Sequence, residues 1–105
     1  AAELKKRAQE VLLQRTAHFS ALMGLTPASV RITGARTRFG SCSAKNRICF
    51  SWRLMQYPPE AIDYVVVHEL AHRREMNHSK NFWKIVEAEL PDYRERRRRL
   101  KECRI

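Results

Sequence analysis

Nowhere does this 105-residue chain contain an apolar run approaching the roughly 18 residues that a membrane-spanning helix needs. It also lacks a charged start followed by an apolar stretch and a small-residue cleavage site, so no secretory signal is expected. Its first residue is Ala, which suits a processed or truncated start. Cysteine is scarce: Cys42, Cys49 and Cys103 are an odd number without a CxxC pair. This argues against a disulfide framework and for a reducing compartment, with a cytoplasmic location expected. Each cysteine reads as a small, half-buried residue. There are no repeats, no low-complexity tract and no linker long enough to divide the chain, so one domain over residues 1–105 is expected.

Acidic residues are also in short supply, 11 against 21 basic ones, for a net charge of +10. The shortage is concentrated in residues 1–58, which carry 10 basic and only 2 acidic groups. Such a surface favours acidic partners, nucleic acid among them, although solubility alone would also account for it. The run Arg96-Arg97-Arg98-Arg99 falls in an expected helix. Four consecutive helical residues point in four directions, so the run makes no single basic stripe.

Residues 2–23 read as an amphipathic helix, with Leu4, Ala8, Val11, Leu12, Phe19, Leu22 and Met23 at helical spacing and Gly24 as a stop. His18 within it reads as packing or surface. Residues 26–55 change character: they alternate, carry β-branched and aromatic residues, and are broken at Pro27, Gly34 and Gly40. Strands are expected near 29–34, 36–39 and 47–53, with Ala44-Lys45-Asn46 as a turn. A helix over about 59–75 follows, with Pro59 at its first position and Glu60 in its first turn. Ile62, Val65, Val66, Val67 and Leu70 make it apolar almost all round, hence central. Ser79 is a plausible cap for a helix over 80–89, packed through Phe82, Trp83, Ile85 and Val86. Pro91 breaks the pattern before a short basic helix over about 92–102.

The central helix contains His68-Glu69-Leu70-Ala71-His72, the HExxH pattern. Residues four apart lie on one helix face, so His68 and His72 can offer two imidazoles to one cation. Two neutral nitrogens with room for a third suit zinc. From its position Glu69 can reach a water on that metal without being a ligand, and can take its proton. Without a metal, two histidines and a glutamate in a valine-rich helix would be costly to bury. For a third ligand the sequence offers His78, between a helix stop near Asn77 and the Ser79 cap, or Glu87 and Glu89 on the next helix. The spacing HExxHxxxxxH equals that of metzincins, but Glu75 stands where they need Gly and no Met-turn follows, so that assignment fails. Cys42 is a conceivable fourth ligand. Gly40-Ser41-Cys42-Ser43 could line a substrate cleft, and Tyr57, Tyr64, Arg38 and Arg53 are candidate transition-state stabilisers.

The stretches "TRFGSCSAKNRICFSWRL", "IDYVVVHELAHRREMNHSKNFW" and "PDYRERRRRLK" together resemble the YgjP-like family of small bacterial zincins, and are more distantly similar to SprT-like and Spartan proteases. The resemblance implies an α+β, zincin-like fold: an N-terminal helix, a small mixed sheet, an HExxH active-site helix and supporting C-terminal helices. It implies His68, His72 and His78 as ligands of one zinc ion and Glu69 as catalytic base. It also implies a substrate lying along the edge strand above the metal. The chain departs from the family pattern at Phe39, usually Trp, and Ser51, usually Asn.

Two function classes follow. The first is a zinc-dependent metallopeptidase acting on peptide or protein substrates. The second is a basic nucleic-acid-associated module with a mainly structural zinc, and the two combine in a protease acting on nucleic-acid-bound proteins. The intact HExxH favours the first, because a structural site has no need of Glu69 and usually fills its fourth position with protein.

Overall fold

The computed structural model describes residues 2–36 and 38–103, with side chains as far as residue 101. The order of elements is helix α1 (Ala2–Met23), strands β1 (Ser29–Thr33), β2 (Gly40–Cys42) and β3 (Arg47–Ser51), a 3-10 turn (Trp52–Gln56), then helices α2 (Pro59–Ala71), α3 (Lys80–Glu89) and α4 (Tyr93–Cys103). Cys103, expected to be half-buried, lies outside the residues whose side chains are described. Cys42 and Cys49 are free and partly buried, as expected.

α1 buries Ala8, Leu12, Thr16 and Phe19, one stripe at helical spacing. Leu22, expected on that stripe, is 59% exposed, one residue before the helix ends. Gly24 ends the helix at φ 66°, and the Leu25 N–H donates back to the Ser20 carbonyl at 3.2 Å. This is the closing bond of a left-handed cap, where glycine carries no steric penalty.

The sheet is mixed, in the order β1-β3-β2: β1 runs parallel to β3, and β2 antiparallel to it. Central β3 buries Ile48 and Phe50 on one face. The strand expected over 36–39 is corrected: Arg36, Arg38 and Phe39 lie outside any strand, Thr37 is not among the described residues, and pairing begins at Gly40. The register comes from the turn. Asn46, at φ 62°, closes Ser43–Asn46 with its N–H on the Ser43 carbonyl at 2.9 Å. Counting back from that turn sets Cys42 opposite Ile48 and Gly40 opposite Phe50, whatever the propensity of residues 36–39. β3 stops at Ser51, short of 53. The Ser51 hydroxyl donates to the Ala35 carbonyl at 2.7 Å and accepts from the Arg53 N–H at 3.2 Å, turning the chain into the 3-10 turn.

α2 is the central helix: it touches α1, α3, α4 and β2, and Val66, Val67, Leu70 and Ala71 are fully buried. Arg15 holds Asp63 through two hydrogen bonds of 2.8 and 2.9 Å, which ties α1 to α2. The expected length to residue 75 is too long. After Ala71 the chain tightens, with the Arg73 N–H on the Leu70 carbonyl and the Arg74 N–H on the Ala71 carbonyl, both three residues back. This removes the helical ladder and frees the chain to double back. The Ser79 hydroxyl then accepts the Phe82 N–H and starts α3 as expected. No helix among the described residues is long and apolar enough to cross a membrane.

Candidate metal centre

The turn after α2 decides the site. A continued helix would carry residue 78 to another face, whereas the early stop brings His78 back over His68 and His72. One ring nitrogen from each of the three lies within 4.8 Å of the other two. Neither Glu87 nor Glu89 belongs to this cluster, and neither does Cys42. His18 edges onto Phe19 on α1, outside the cluster.

Each imidazole is positioned by something definite. His72 caps α2, and its Nδ1 lies 3.1 Å from the Glu75 carbonyl oxygen. In the tautomer that donates this bond, Nε2 keeps its lone pair for a cation. Glu75 therefore contributes through its backbone at the place where metzincins carry Gly. Phe82, fully buried on α3, forms the floor: its ring centroid lies 5.1, 4.5 and 4.9 Å from those of His68, His72 and His78. Trp83 flanks His78 at 5.9 Å and stacks on Tyr93 at 5.2 Å. His78 titrates below the ordinary histidine value, through desolvation first and then the neighbouring His68 and His72. Its lone pair is accordingly free at neutral pH. Three imidazole nitrogens converging at this spacing fit a borderline-soft divalent cation such as zinc.

Glu69 is 5% exposed, and its Oε2 lies 3.1 Å from His68 Nδ1. It has room only because residue 40 is glycine. A Cβ there would fall 2.9 Å from Glu69 Cγ and 3.1 Å from Oε2. His68 and Glu69 open onto a cleft of about 240 Å³ whose walls include Phe39, Gly40, Tyr64 and Arg97. Of the four candidate stabilisers, Tyr64 and Arg38 line this cleft. Arg53 is engaged elsewhere, over Trp52 and on the Gly34 carbonyl, and Tyr57 packs edge-on against Phe39. Burial pushes the Tyr64 phenol up to about 12, with Arg97 acting in the opposite direction, so it stays a hydrogen-bond donor. Ser41, Cys42 and Ser43 are not on the cleft wall; of that expected segment only Gly40 is. The departing residue Phe39 lines the cleft, whereas Ser51 anchors the β3 end behind it.

Sequence reasoning missed Phe82 as the floor of the cluster, the contact of Gly40 with Glu69, and the approach of α4 to the cleft. A glycine within a strand pattern is a sign of close approach. Residues 97, 100 and 101 share a helix face by spacing, and that spacing is the signal in the sequence.

The model of the YgjP-like metallopeptidase domain matches residues 1–103. Among solved structures, the metallopeptidase zymogen of Pyrococcus abyssi abylysin is similar at 25% identity and a TM-score of 0.75, over 85% of this chain and 90% of that one. The metallopeptidase zymogen of Methanocaldococcus jannaschii jannalysin, at 15% identity, shares the fold with a TM-score of 0.78, over 90% of this chain and 97% of that one. No curated protein matches. Four helices around a small mixed sheet are thus the zincin-like arrangement that the resemblance implied.

Proposed function

The chain belongs to the YgjP-like metallopeptidase family, and from that premise we propose a zinc-dependent endopeptidase in which His68, His72 and His78 hold one zinc ion and Glu69 is the general base. The observation that carries this reading is the convergence of three imidazole nitrogens within 4.8 Å beside a buried carboxylate on the same cleft. Three nitrogen donors leave a fourth position for water or substrate, as catalytic rather than structural zinc requires.

When bound, zinc supplies Lewis acidity, lowering the pKa of water towards neutral and polarising the peptide carbonyl. Glu69 accepts the proton of the attacking water and passes it to the departing amine. Its position against Gly40 holds the carboxylate at the mouth of the cleft. Tyr64, kept neutral by burial, donates its O–H to the carbonyl oxygen as negative charge develops there. β2 is an edge strand, and an extended peptide adds to it and is thereby held across the cleft. Residues 1–105 make one domain, and the enzyme works in the cytoplasm, a reading that the free Cys42 and Cys49 support.

A second reading, a protease acting on nucleic-acid-bound proteins, has one specific support. Lys80, Lys84 and Arg94 lie with Glu87 around the Trp83 edge beside His78, a surface of net positive charge of the kind that meets a phosphate backbone. Salt-dependent binding of an oligonucleotide, weakened in Lys84→Ala, would support it.

The test of the main reading is cleavage of an unstructured protein by the zinc-loaded chain. Activity is expected to vanish in Glu69→Gln and on chelation. Equal cleavage by wild type and Glu69→Gln would refute it.

A further inference from the structure

We propose that the cleft beside the histidine cluster selects peptides with an aspartate or glutamate side chain near the scissile bond, and that Arg38, Arg97 and Lys101 make the selection. This rests on the peptidase reading above.

The three cations reach the cleft from two sides. Arg97 and Lys101 come from α4, and Arg38 from the segment that leads into β2. On α4, positions 97, 100 and 101 share one face. Leu100, 8% exposed, is the anchor of that face in the core, so its neighbours line the cleft as exposed side chains.

The acidic side chains described on α4 and its approach are taken up elsewhere. Asp92 holds Arg96 at 2.9 Å, and Glu95 holds Arg98 and Arg99. Arg97, between them in sequence, has a different partner: its guanidinium lies 5.2 Å over the Trp83 ring. A ring face orients the cation without neutralising it. No salt bridge is found for Arg38, Arg97 or Lys101 among the described residues. Among the described residues the only carboxylate on the cleft wall is Glu69, which faces Gly40 and His68. Those residues give the cleft three cations to one anion.

The charge acts where the chemistry would occur. Arg97 lies over the Trp83 ring, whose neighbour is His78, and lines the same cleft as Tyr64, His68 and Glu69. Phe39, Val65 and Leu100 give the same cleft apolar walls, which strengthen a charge pair formed between them. A guanidinium can meet a carboxylate through two parallel N–H bonds. One concave pocket of about 240 Å³ suits a single side chain of an extended peptide. A nucleic-acid strand would instead need a continuous basic track to follow its phosphates.

The test uses the zinc-loaded full chain and quenched peptides that differ only in Glu or Gln at each position flanking the cleaved bond. At the best position wild type should prefer Glu by about fivefold or more in kcat/KM, each partly exposed cation contributing about twofold. The preference should shrink as ionic strength rises past about 0.15 M. In Arg97→Gln the Glu/Gln ratio should move towards one. In the double variant Arg38→Glu/Lys101→Glu the preference should turn towards a Lys-bearing peptide, a gain that misfolding cannot imitate. Equal cleavage of the Glu and Gln peptides by wild type overturns the selectivity and leaves the peptidase reading standing. Cleavage of neither, with zinc bound, overturns both. An unchanged ratio in the double variant removes the assignment to these residues. An oligonucleotide that blocks cleavage in wild type but not in Arg97→Gln shows that the cleft takes phosphates instead, and also overturns the proposal.

Discussion

Gly40 and Glu69 compete for one volume: a Cβ on residue 40 would sit 2.9 Å from Glu69 Cγ, 3.1 Å from its Oε2 and 3.3 Å from the Cys49 carbonyl oxygen. The Cys49 carbonyl is backbone and cannot yield, so in Gly40→Ala the glutamate must move. Activity should fall by about a hundredfold, the cost of displacing a catalytic group by roughly 1 Å. Zinc content should be unchanged, since the three atoms nearest that Cβ belong to Glu69 and Cys49 and to no histidine. Metal analysis beside kcat/KM for the purified variant checks this, and loss of the metal along with activity would contradict it.

Zinc binding and chemistry should separate at adjacent residues. Dialysed protein should carry one zinc per chain. Glu69→Gln should keep the metal and lose activity, whereas His72→Ala should lose both, because its ring is both a donor and the partner of the Glu75 carbonyl. If Glu69→Gln loses zinc as completely as His72→Ala, Glu69 is a ligand or an anchor and not the base.

Much of this site was legible in the chain, and the reason is local. His68, Glu69 and His72 are fixed relative to one another by helical geometry alone; Ser79 marks an element end by a hydrogen bond of its own, Pro59 by its fixed φ and Gly24 by its positive φ. What was not legible depends on contacts distant in sequence. The register of β2 comes from the Asn46 turn and from pairing with β3, not from the propensity of residues 36–39. The early end of α2 at Ala71 follows from bonds made after it, and the Gly40–Glu69 contact joins residues that only the packing of α2 on β2 brings together.

Phe82 should matter to the metal as well as to the core. It is fully buried and touches all three imidazoles. Phe82→Ala should cost about 3–5 kcal/mol of stability through the cavity it leaves. Phe82→Leu should cost less, yet still weaken zinc binding, because its smaller side chain supports the rings less well. Competition with a chromogenic chelator, compared with melting of the metal-free forms, separates the two effects. Zinc affinity unchanged in Phe82→Leu would limit Phe82 to packing.

Stability of the metal-free chain should fall at both ends of the pH scale. His78 titrates below its ordinary value in the fold, so the unfolded chain takes up that proton first as pH drops. Its contribution to stability is therefore present above about pH 6.5 and is lost on acidification. Tyr64, raised to about 12, behaves oppositely. The unfolded phenol ionises near pH 10, so stability declines as pH rises above about 10. Melting of chelator-treated protein across this range checks both signs. In His78→Gln the acidic limb should be shallower, and in Tyr64→Phe the alkaline one.

The metal should also hold the fold together, because its three proposed ligands span a junction. His68 and His72 lie at the end of α2, and His78 lies before α3, with only the short turn through Glu75 between them. Binding to the native state alone stabilises by about 4 kcal/mol at a thousandfold excess over Kd. In a domain of this size each kcal/mol is worth about 4–8 °C of melting temperature. Chelation should therefore lower the midpoint by more than about 10 °C. His78→Ala should reproduce most of that drop in the presence of zinc and leave little further effect for a chelator. Glu87→Ala and Glu89→Ala should melt like wild type, since neither carboxylate belongs to the cluster. A drop in either glutamate variant but not in His78→Ala would make the third ligand a carboxylate, and the turn after Ala71 would then need another explanation.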